Sequence, residues 1–216
     1  YNMLIACPEF STKKYPGARW YQEGNVQDKE GEEGTIQPRN HWSFDAVNHI
    51  VAAVRARTHA KGKVIIFGHS AGGQFMHRYS LLDGRADVDA IVCANAGWFT
   101  MPDDTTCYPY GTKGLGLSDA DLASAFALPV IMLMGSEDVS REQPFRATPE
   151  ADAQGKNRME RCLHYFDACQ KKAEELGVPF NWKKGVVEGA AHEGGKMAEG
   201  AMKLFCEEPL DETVGM

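Results

Sequence analysis

Short apolar runs alternate with longer amphipathic stretches along most of the chain. The runs are rich in Val, Ile, Leu, Met or Phe, and runs of this length and composition are typical of buried strands. The pattern predicts strands over 2–7, 63–68, 89–94, 129–134 and 180–187.

The amphipathic stretches repeat apolar residues at helical spacing, which predicts helices with one buried face. Ser43 is a candidate N-cap for the first of them, and Gly177 would end the longest. Ser118 and Asp121 form a candidate capping box with Asp in place of the usual Glu. The predicted helices are 43–60, 72–82, 119–126, 156–176 and 194–206.

Strands that alternate with helices favour an α/β fold, with a mainly parallel sheet and helices on both faces. We expect residues 1–216 to form a single domain. Two long irregular segments, 9–40 and 97–117, each follow a predicted strand. Open α/β sheets hold their ligands at the carboxyl ends of the strands, so both segments are predicted active-site loops.

Composition excludes some classes of partner. The chain has 43% hydrophobic and 25% charged residues and a formal charge of −7, without a basic block. This balance argues against a nucleic acid or an anionic membrane surface as a partner. No apolar run approaches the roughly 18 residues that span a bilayer.

The chain starts inside an apolar run, at Tyr1. A domain rarely begins in the middle of a sheet, so we expect a segment before Tyr1, or a second chain, to complete the sheet. The cellular compartment cannot be predicted, because any signal peptide would precede Tyr1.

The six cysteines are too scattered for a disulfide-built scaffold. Cys162 and Cys169 lie about 10 Å apart along a predicted helix, which is too far to bridge. Buried free thiols are expected, and Cys107 is the best candidate for a disulfide. The chain contains no C-x-x-C, so a zinc or redox site has little support.

The segment Gly68-His69-Ser70-Ala71-Gly72 carries the clearest chemical signal. G-x-S-x-G between a strand and a helix is typical of the nucleophile elbow, a strained turn that exposes a serine hydroxyl. Side chains in place of Gly68 and Gly72 are expected to collide with the neighbouring strand and helix. Ser70 is therefore the candidate nucleophile.

A serine nucleophile needs a base, and the base needs a carboxylate that orients it. The strand at 129–134 leads into Glu137 and Asp138, and we favour Asp138 as the acid. In the alternative interpretation, Asp138 only caps the next turn, with Ser140 or Arg141 as its partner.

His192 follows the last predicted strand within a loop of small residues, and it is the candidate base. The other histidines lie in the elbow, on predicted helices or at helix starts. No H-x-x-x-H or H-E-x-x-H spacing is present, so we expect neither a metal nor a cofactor. The chain thus offers Ser, acid and His in the order that this sheet architecture uses.

An oxyanion hole needs two hydrogen-bond donors. The backbone N–H of Ala71, at the start of the elbow helix, is the first candidate. The chain has no His-Gly-type motif for the second, which is expected to lie upstream of Tyr1.

Aromatic residues are frequent in the two long segments and could stack on an acyl group or a sugar. In the alternative interpretation they pin the long loops to the domain, whereas Trp42, Phe180 and Trp182 are expected in the core. The candidate substrate-binding residues are Trp20, Tyr21, Trp98, Tyr108 and Tyr110.

On its G-H-S-A-G-G, G-S-E-D and G-x-x-H segments, the chain resembles α/β-hydrolase-fold serine esterases, most closely the polyhydroxyalkanoate-depolymerase and feruloyl-esterase-like group. The resemblance implies ester hydrolysis through an acyl-enzyme on Ser70, with His192 as base, Asp138 as acid and a small or polymeric ester as substrate. It also implies that 2–7 is the fourth strand of the family's sheet. A peptidase or thioesterase on the same fold remains an alternative, as does a non-catalytic binding module.

Overall fold

The computed structural model describes residues 3–85, 87–141 and 144–206. Its four strands form one parallel sheet in the order β1-β2-β3-β4. The strands are β1 (Ile65–His69), β2 (Ala90–Ala94), β3 (Val130–Gly135) and β4 (Lys183–Val187).

The helices are α1 (Gly17–Trp20), α2 (Asp45–Thr58), α3 (Ala71–Leu82), α4 (Asp119–Phe126), α5 (Pro149–Gln154), α6 (Arg158–Leu176) and α7 (Gly194–Cys206), with a 3₁₀ turn at Arg39–His41. None of the helices in the described part of the chain is long and apolar enough to span a membrane.

The two central strands divide the core into two layers. Every residue of β2 and β3 is buried, as expected for inner strands of a parallel sheet. Ile91 and Cys93 of β2 pack in a large cluster with residues of α3, α4 and α6, whereas Val92 packs on the other face with Met197 and Ala201 of α7. The predicted parallel sheet with helices on both faces is therefore confirmed.

The predicted strand at 2–7 is wrong for the residues that the structure describes. Residues 3–7 form no strand, and Met3, Leu4 and Ile5 are 42%, 56% and 77% exposed. An apolar run forms a strand only beside a partner that accepts and donates its backbone hydrogen bonds, and no described segment pairs with this one. Asn2 lies outside the described residues.

The start of α2 also differs from the prediction. Its N-cap is Phe44, which makes no side-chain cap, rather than Ser43. Ser43 is instead held by its own N–H, which donates to the Gly24 carbonyl, while the Phe44 ring is buried in the core. The Ser118–Asp121 capping box and the left-handed Gly177 that ends α6 are both confirmed.

Cys107, the best candidate for a disulfide, has no sulfur partner among the described cysteines. Cys7, Cys93, Cys107, Cys162 and Cys169 are all free thiols. The Cys107 side chain hydrogen-bonds Glu33 instead of approaching another sulfur. Cys93, Cys162 and Cys169 are buried, as predicted.

Candidate active site

Ser70 stands on a strained turn between β1 and α3. Its backbone has φ 57° and ψ −113°, a conformation that non-glycine residues rarely adopt. The Ser70 N–H donates to the Ala94 carbonyl of β2 at 2.9 Å, which ties the turn to the neighbouring strand. The turn therefore has the backbone strain that a nucleophile elbow requires.

Glycine is required at Gly68 and Gly73 rather than at Gly68 and Gly72. A Cβ on Gly68 would lie 2.4 Å from the Gly72 carbonyl oxygen, and one on Gly73 would lie 2.5 Å from the Ala94 oxygen. A Cβ on Gly72 would meet only the Tyr21 hydroxyl, at 3.3 Å. The predicted collision at Gly72 is wrong, because the added Cβ meets no backbone atom of the strand and only the end of one side chain.

Ser70, His192 and Asp138 form a continuous hydrogen-bonded line. The Ser70 Oγ lies 2.8 Å from the His192 Nε2, and the His192 Nδ1 lies 2.7 Å from the Asp138 Oδ2. The carboxylate can only accept, so Nδ1 carries the proton and Nε2 is free to accept from the serine hydroxyl. Asp138 lies 54 positions before His192 in the chain, and Ser70 lies 122 positions before it. All three residues nevertheless follow the carboxyl ends of parallel strands.

In the loop after β3, the residue that contacts the candidate base is Asp138. The Asp138 carboxylate is buried and binds His192 and Arg158, so it is not merely a turn cap. Arg141, one of the partners considered for a capping role, pairs with Asp152 instead.

Asn95, directly after β2, joins the loops that carry the acid and the base. Its side-chain amide accepts from the Gly135 N–H at 2.8 Å and donates to the Ala191 carbonyl at 3.1 Å. Asn95 itself has a positive φ of 46°, which asparagine tolerates better than most residues. No motif in the sequence indicates this residue.

Arg158, the first residue of α6, is a second contact that sequence reasoning missed. Its Nη1 donates to the Asp138 Oδ1 at 3.0 Å, and its Nη2 donates to the Pro144 carbonyl at 3.0 Å. The two side chains are only 4% and 3% exposed. Asp138 therefore holds His192 with one oxygen and a buried guanidinium with the other.

His69 lies against the candidate base. The His69 and His192 ring centroids are 4.7 Å apart, and the buried His69 Nε2 has no hydrogen-bond partner in the described residues. Burial, and then the nearby His192, lower the pKa of His69 to about 4. A neutral ring thus covers one side of His192.

The first predicted oxyanion donor has a suitable position. Ala71 is the first residue of α3, so its N–H is one of the helix donors that lack an intrahelical acceptor. It also lies at the positive end of the helix dipole. A second donor for the same anion is not identified among the described residues.

The candidate substrate-binding aromatics divide into two groups. Tyr21 stacks on Phe75, its hydroxyl lies near Gly72 of the elbow helix, and burial raises its pKa, so it stays a neutral donor. Trp20 lines a separate cavity of about 330 Å³ with Lys14, Tyr15, His41, Trp42, Ser43, Ala46 and His49.

Trp98, Tyr108 and Tyr110 are 3%, 1% and 7% exposed and serve the core rather than a cleft. The Tyr108 hydroxyl donates to the Glu23 carbonyl, and the guanidinium groups of Arg78 and Arg146 lie 4.2 Å and 4.8 Å from the centre of the Trp98 ring. These contacts are the ones expected if the aromatics pin the long loops to the domain, and a role in substrate binding stays a prediction at these three positions. Trp42 and Trp182 are buried and Phe180 packs partly buried against the same cluster, as predicted.

A cavity of about 460 Å³ opens beside the acid and base. Its walls include His192, Asp138 and Arg158, so it gives a small molecule access to the acid side of the site. The rest of its lining is Glu137, Ser140 and Ala191.

Two solved structures resemble the chain closely. One is poly(aspartic acid) hydrolase-1 from Sphingomonas sp. KT-1, with 36% identity and a TM-score of 0.83 over 91% of this chain and 74% of that one. The other is LpqC, a poly(3-hydroxybutyrate) depolymerase from Bordetella parapertussis, with 33% identity and a TM-score of 0.83 over 95% of this chain and 69% of that one.

An IroE-like serine hydrolase from Shewanella oneidensis shares the fold alone, with 13% identity and a TM-score of 0.50 over 90% of this chain and 59% of that one. No protein-family model and no curated protein sequence matches the chain.

Proposed function

The chain belongs to the α/β-hydrolase esterases of the polyhydroxyalkanoate-depolymerase group, and we propose that it cleaves carboxylic esters through an acyl-enzyme on Ser70. The observation that carries the proposal is the line from Ser70 Oγ through His192 to Asp138, with separations of 2.8 Å and 2.7 Å. Contacts of this length are what a general base needs to accept the serine proton as the hydroxyl attacks.

The reaction proceeds in two steps of acyl transfer. His192 Nε2 accepts the Ser70 proton while Oγ attacks the ester carbonyl carbon, and the same imidazole then protonates the departing alkoxide. In the second step His192 takes a proton from water, the resulting hydroxide attacks the acyl-enzyme, and Ser70 leaves with that proton. Asp138 keeps Nδ1 protonated and stabilises the imidazolium in both steps. The Ala71 N–H donates to the carbonyl oxygen as it becomes negative.

The substrate class follows from the relatives. LpqC is named for a polyester, so we propose an ester of a hydroxy acid, either small or polymeric, as the substrate. Tyr21, beside the elbow helix, is the aromatic residue best placed to contact the acyl group.

Hydrolysis of a polyamide is the second candidate. The relative from Sphingomonas is named for poly(aspartic acid), whose units are joined by amide bonds. The same serine, base and acid can cleave amides, since the leaving group takes its proton from the base in either case. Assays with p-nitrophenyl esters, poly(3-hydroxybutyrate) and poly(aspartic acid) compare the two candidates on one preparation.

The proposal is tested at the nucleophile. Ser70→Ala removes the attacking oxygen, so we expect ester turnover to fall by several orders of magnitude with an unchanged circular dichroism spectrum. A fluorophosphonate should label the wild-type chain at Ser70 and leave the variant unlabelled. Ser124→Ala, an exposed serine of α4, is the control and should behave as wild type. Equal turnover by wild type and Ser70→Ala would refute the assignment.

A further inference from the structure

We propose that Arg158 is a positioning residue for the Asp138–His192 pair and that its positive charge sets the pH at which the base becomes active. This inference rests on the proposed serine mechanism. It assigns a role to a residue in the first turn of a helix, distant in sequence from the three motif residues.

The position of Arg158 is unfavourable unless it has a specific partner. A buried arginine loses its hydration, and such residues occur in protein interiors when they are paired. Arg158 also occupies the first turn of α6, where the helix dipole disfavours a cation. The interaction that offsets both costs is the 3.0 Å contact with Asp138, an anion that is itself buried.

The contacts of the Arg158 guanidinium hold it in one position beside Asp138. Nη1 binds Asp138 and Nη2 binds the Pro144 carbonyl, while the Phe145 ring lies 5.2 Å from the guanidinium carbon. The buried Nε has no partner in the described residues. The arginine therefore fixes the carboxylate plane through one oxygen while the other oxygen faces His192.

The same contact has an electrostatic consequence. A buried carboxylate attracts a positive charge on the imidazole beside it. Arg158 places its own positive charge on the far oxygen of the same carboxylate, which offsets part of that attraction. Among the described residues, the other titratable groups near the pair include His69 from β1, Glu137 on the acid loop and Glu193 beside the base, which pairs with Lys196 of α7 at 2.8 Å.

Arg158→Met and Arg158→Gln remove the charge and keep most of the volume. With Asp138 partnered by His192 alone, we expect the acid limb of the kcat/KM profile to move to higher pH by about one unit. We expect kcat at neutral pH to fall about tenfold to a hundredfold, with KM changed less than about twofold, because the acid is misplaced but the substrate contacts remain.

Arg158→Lys keeps a charge that can reach one carboxylate oxygen. It should hold the acid limb near the wild-type pH and recover part of the lost kcat. If Arg158→Met does not fold, the comparison of Lys with Gln at the same position tests the same claim.

The matched control is Arg161→Met, one turn further along α6. Arg161 is equally buried and lies 4.0 Å from the same Phe145 ring, but it binds Gly97, Gly155 and Asp152 instead of Asp138. Loss of this arginine should lower the melting temperature without moving the acid limb.

The inference is overturned if the Met and Gln variants keep the wild-type acid limb, or if Lys and Gln give the same profile. It is also overturned if Arg161→Met shifts the limb as far as Arg158→Met. Ser70→Ala, assayed in parallel, separates this failure from failure of the serine mechanism. An active Ser70→Ala enzyme refutes the mechanism. An inactive Ser70→Ala enzyme, together with an Arg158→Gln variant whose acid limb stays at the wild-type pH, refutes only the role of Arg158.

Discussion

His77 is a buried histidine whose hydrogen bonds require a neutral ring. Its Nε2 accepts from the Thr100 N–H at 3.1 Å, and its Nδ1 donates to the Gly73 carbonyl at 3.3 Å. Burial, and then the charge of Arg78, hold its pKa well below the ordinary value of 6.5. Protonation at Nε2 would break the bond to Thr100, which anchors the segment after β2.

This histidine predicts acid sensitivity of the fold. Below pH 6.5 the unfolded chain binds a proton at His77 that the folded chain does not bind, because the folded-state pKa lies well below that value. The unfolding free energy should therefore fall as the pH is lowered through this range, and His69 should add to the slope. His77→Gln should reduce the slope, as measured by urea unfolding at several pH values. His49→Gln, on the exposed side of α2, is the control. An unchanged slope in His77→Gln would contradict the prediction.

The sequence predicts the convergence of Ser70, Asp138 and His192 because each residue follows a strand in a recognisable local pattern. Arg158 and Asn95 carry no such pattern. Arg158 reaches the site from the start of α6, and the role of Asn95 depends on which backbone groups lie beside it in space. Contacts of this kind follow from packing between elements and not from spacing along the chain.

At the scale of the element, the elbow depends on how closely α3 packs against β2. A Cβ on Gly73 would lie 2.5 Å from the carbonyl oxygen of Ala94. That oxygen belongs to a buried inner strand and already accepts from the Ser70 N–H. The strand cannot move away without disturbing the turn that carries Ser70.

Gly73→Ala should therefore destabilise the protein although alanine is the better helix former. Helix propensity favours alanine by about 1 kcal/mol, whereas overpacking against fixed backbone costs about 1–3 kcal/mol and here lies at the upper end. We expect a net loss of about 2 kcal/mol in the unfolding free energy, measured by urea titration, together with lower esterase activity. Gly62→Ala is the control, because no atom lies within 4 Å of its added methyl. Equal stability of the two variants would show that α3 can shift.

Most element boundaries could be predicted because capping residues and apolar periodicity act locally. The bounds of α4 and α7 agree with the prediction, and those of α3 and α6 differ by one or two residues. The short helix α5 was missed, although Thr148 at its N-cap and Pro149 in its first turn are a recognisable start signal. The start of α2 could not be predicted, since burial of Phe44 overrides the capping preference of Ser43.

At the scale of the whole molecule, Arg146 fastens the two long segments to each other. Its Nε donates to the Tyr110 hydroxyl at 2.6 Å, its Nη2 donates to the Gly31 carbonyl, and its guanidinium lies 4.8 Å from the centre of the Trp98 ring. The segments that supply Tyr21 and Trp98 are thus joined through one side chain.

Arg146→Met should loosen these segments without unfolding the domain. The substitution removes both hydrogen bonds and keeps a side chain of similar length, so we expect faster amide hydrogen exchange in peptides covering 23–37 and 101–113. The melting temperature should change little, because the sheet and its two core layers are untouched. Arg57→Met, at an exposed position of α2, should leave exchange in both regions as in wild type. Unchanged exchange in Arg146→Met would show that other contacts hold the loops.

The roles of the aromatic residues could not be predicted from composition. Trp98, Tyr108 and Tyr110 are aromatic and lie in the same kind of loop as Tyr21, yet they are buried, whereas the Tyr21 hydroxyl lies near Gly72 at the start of the elbow helix. The buried Arg78 lies against the Trp98 ring, a contact that no pattern in the sequence indicates. Similarly, the apolar character of residues 3–7 does not produce a strand without a pairing partner.

The amide of Asn95 constrains how this scaffold can diversify. One side chain hydrogen-bonds both the segment leading to the acid and the segment leading to the base, so neither segment can change position independently during evolution. An insertion that displaced Gly135 would either displace Ala191 as well or break the hydrogen bonds that Asn95 makes to the two residues. New specificities are therefore easier to acquire in the segments before α2 and before α4, which Asn95 does not hold.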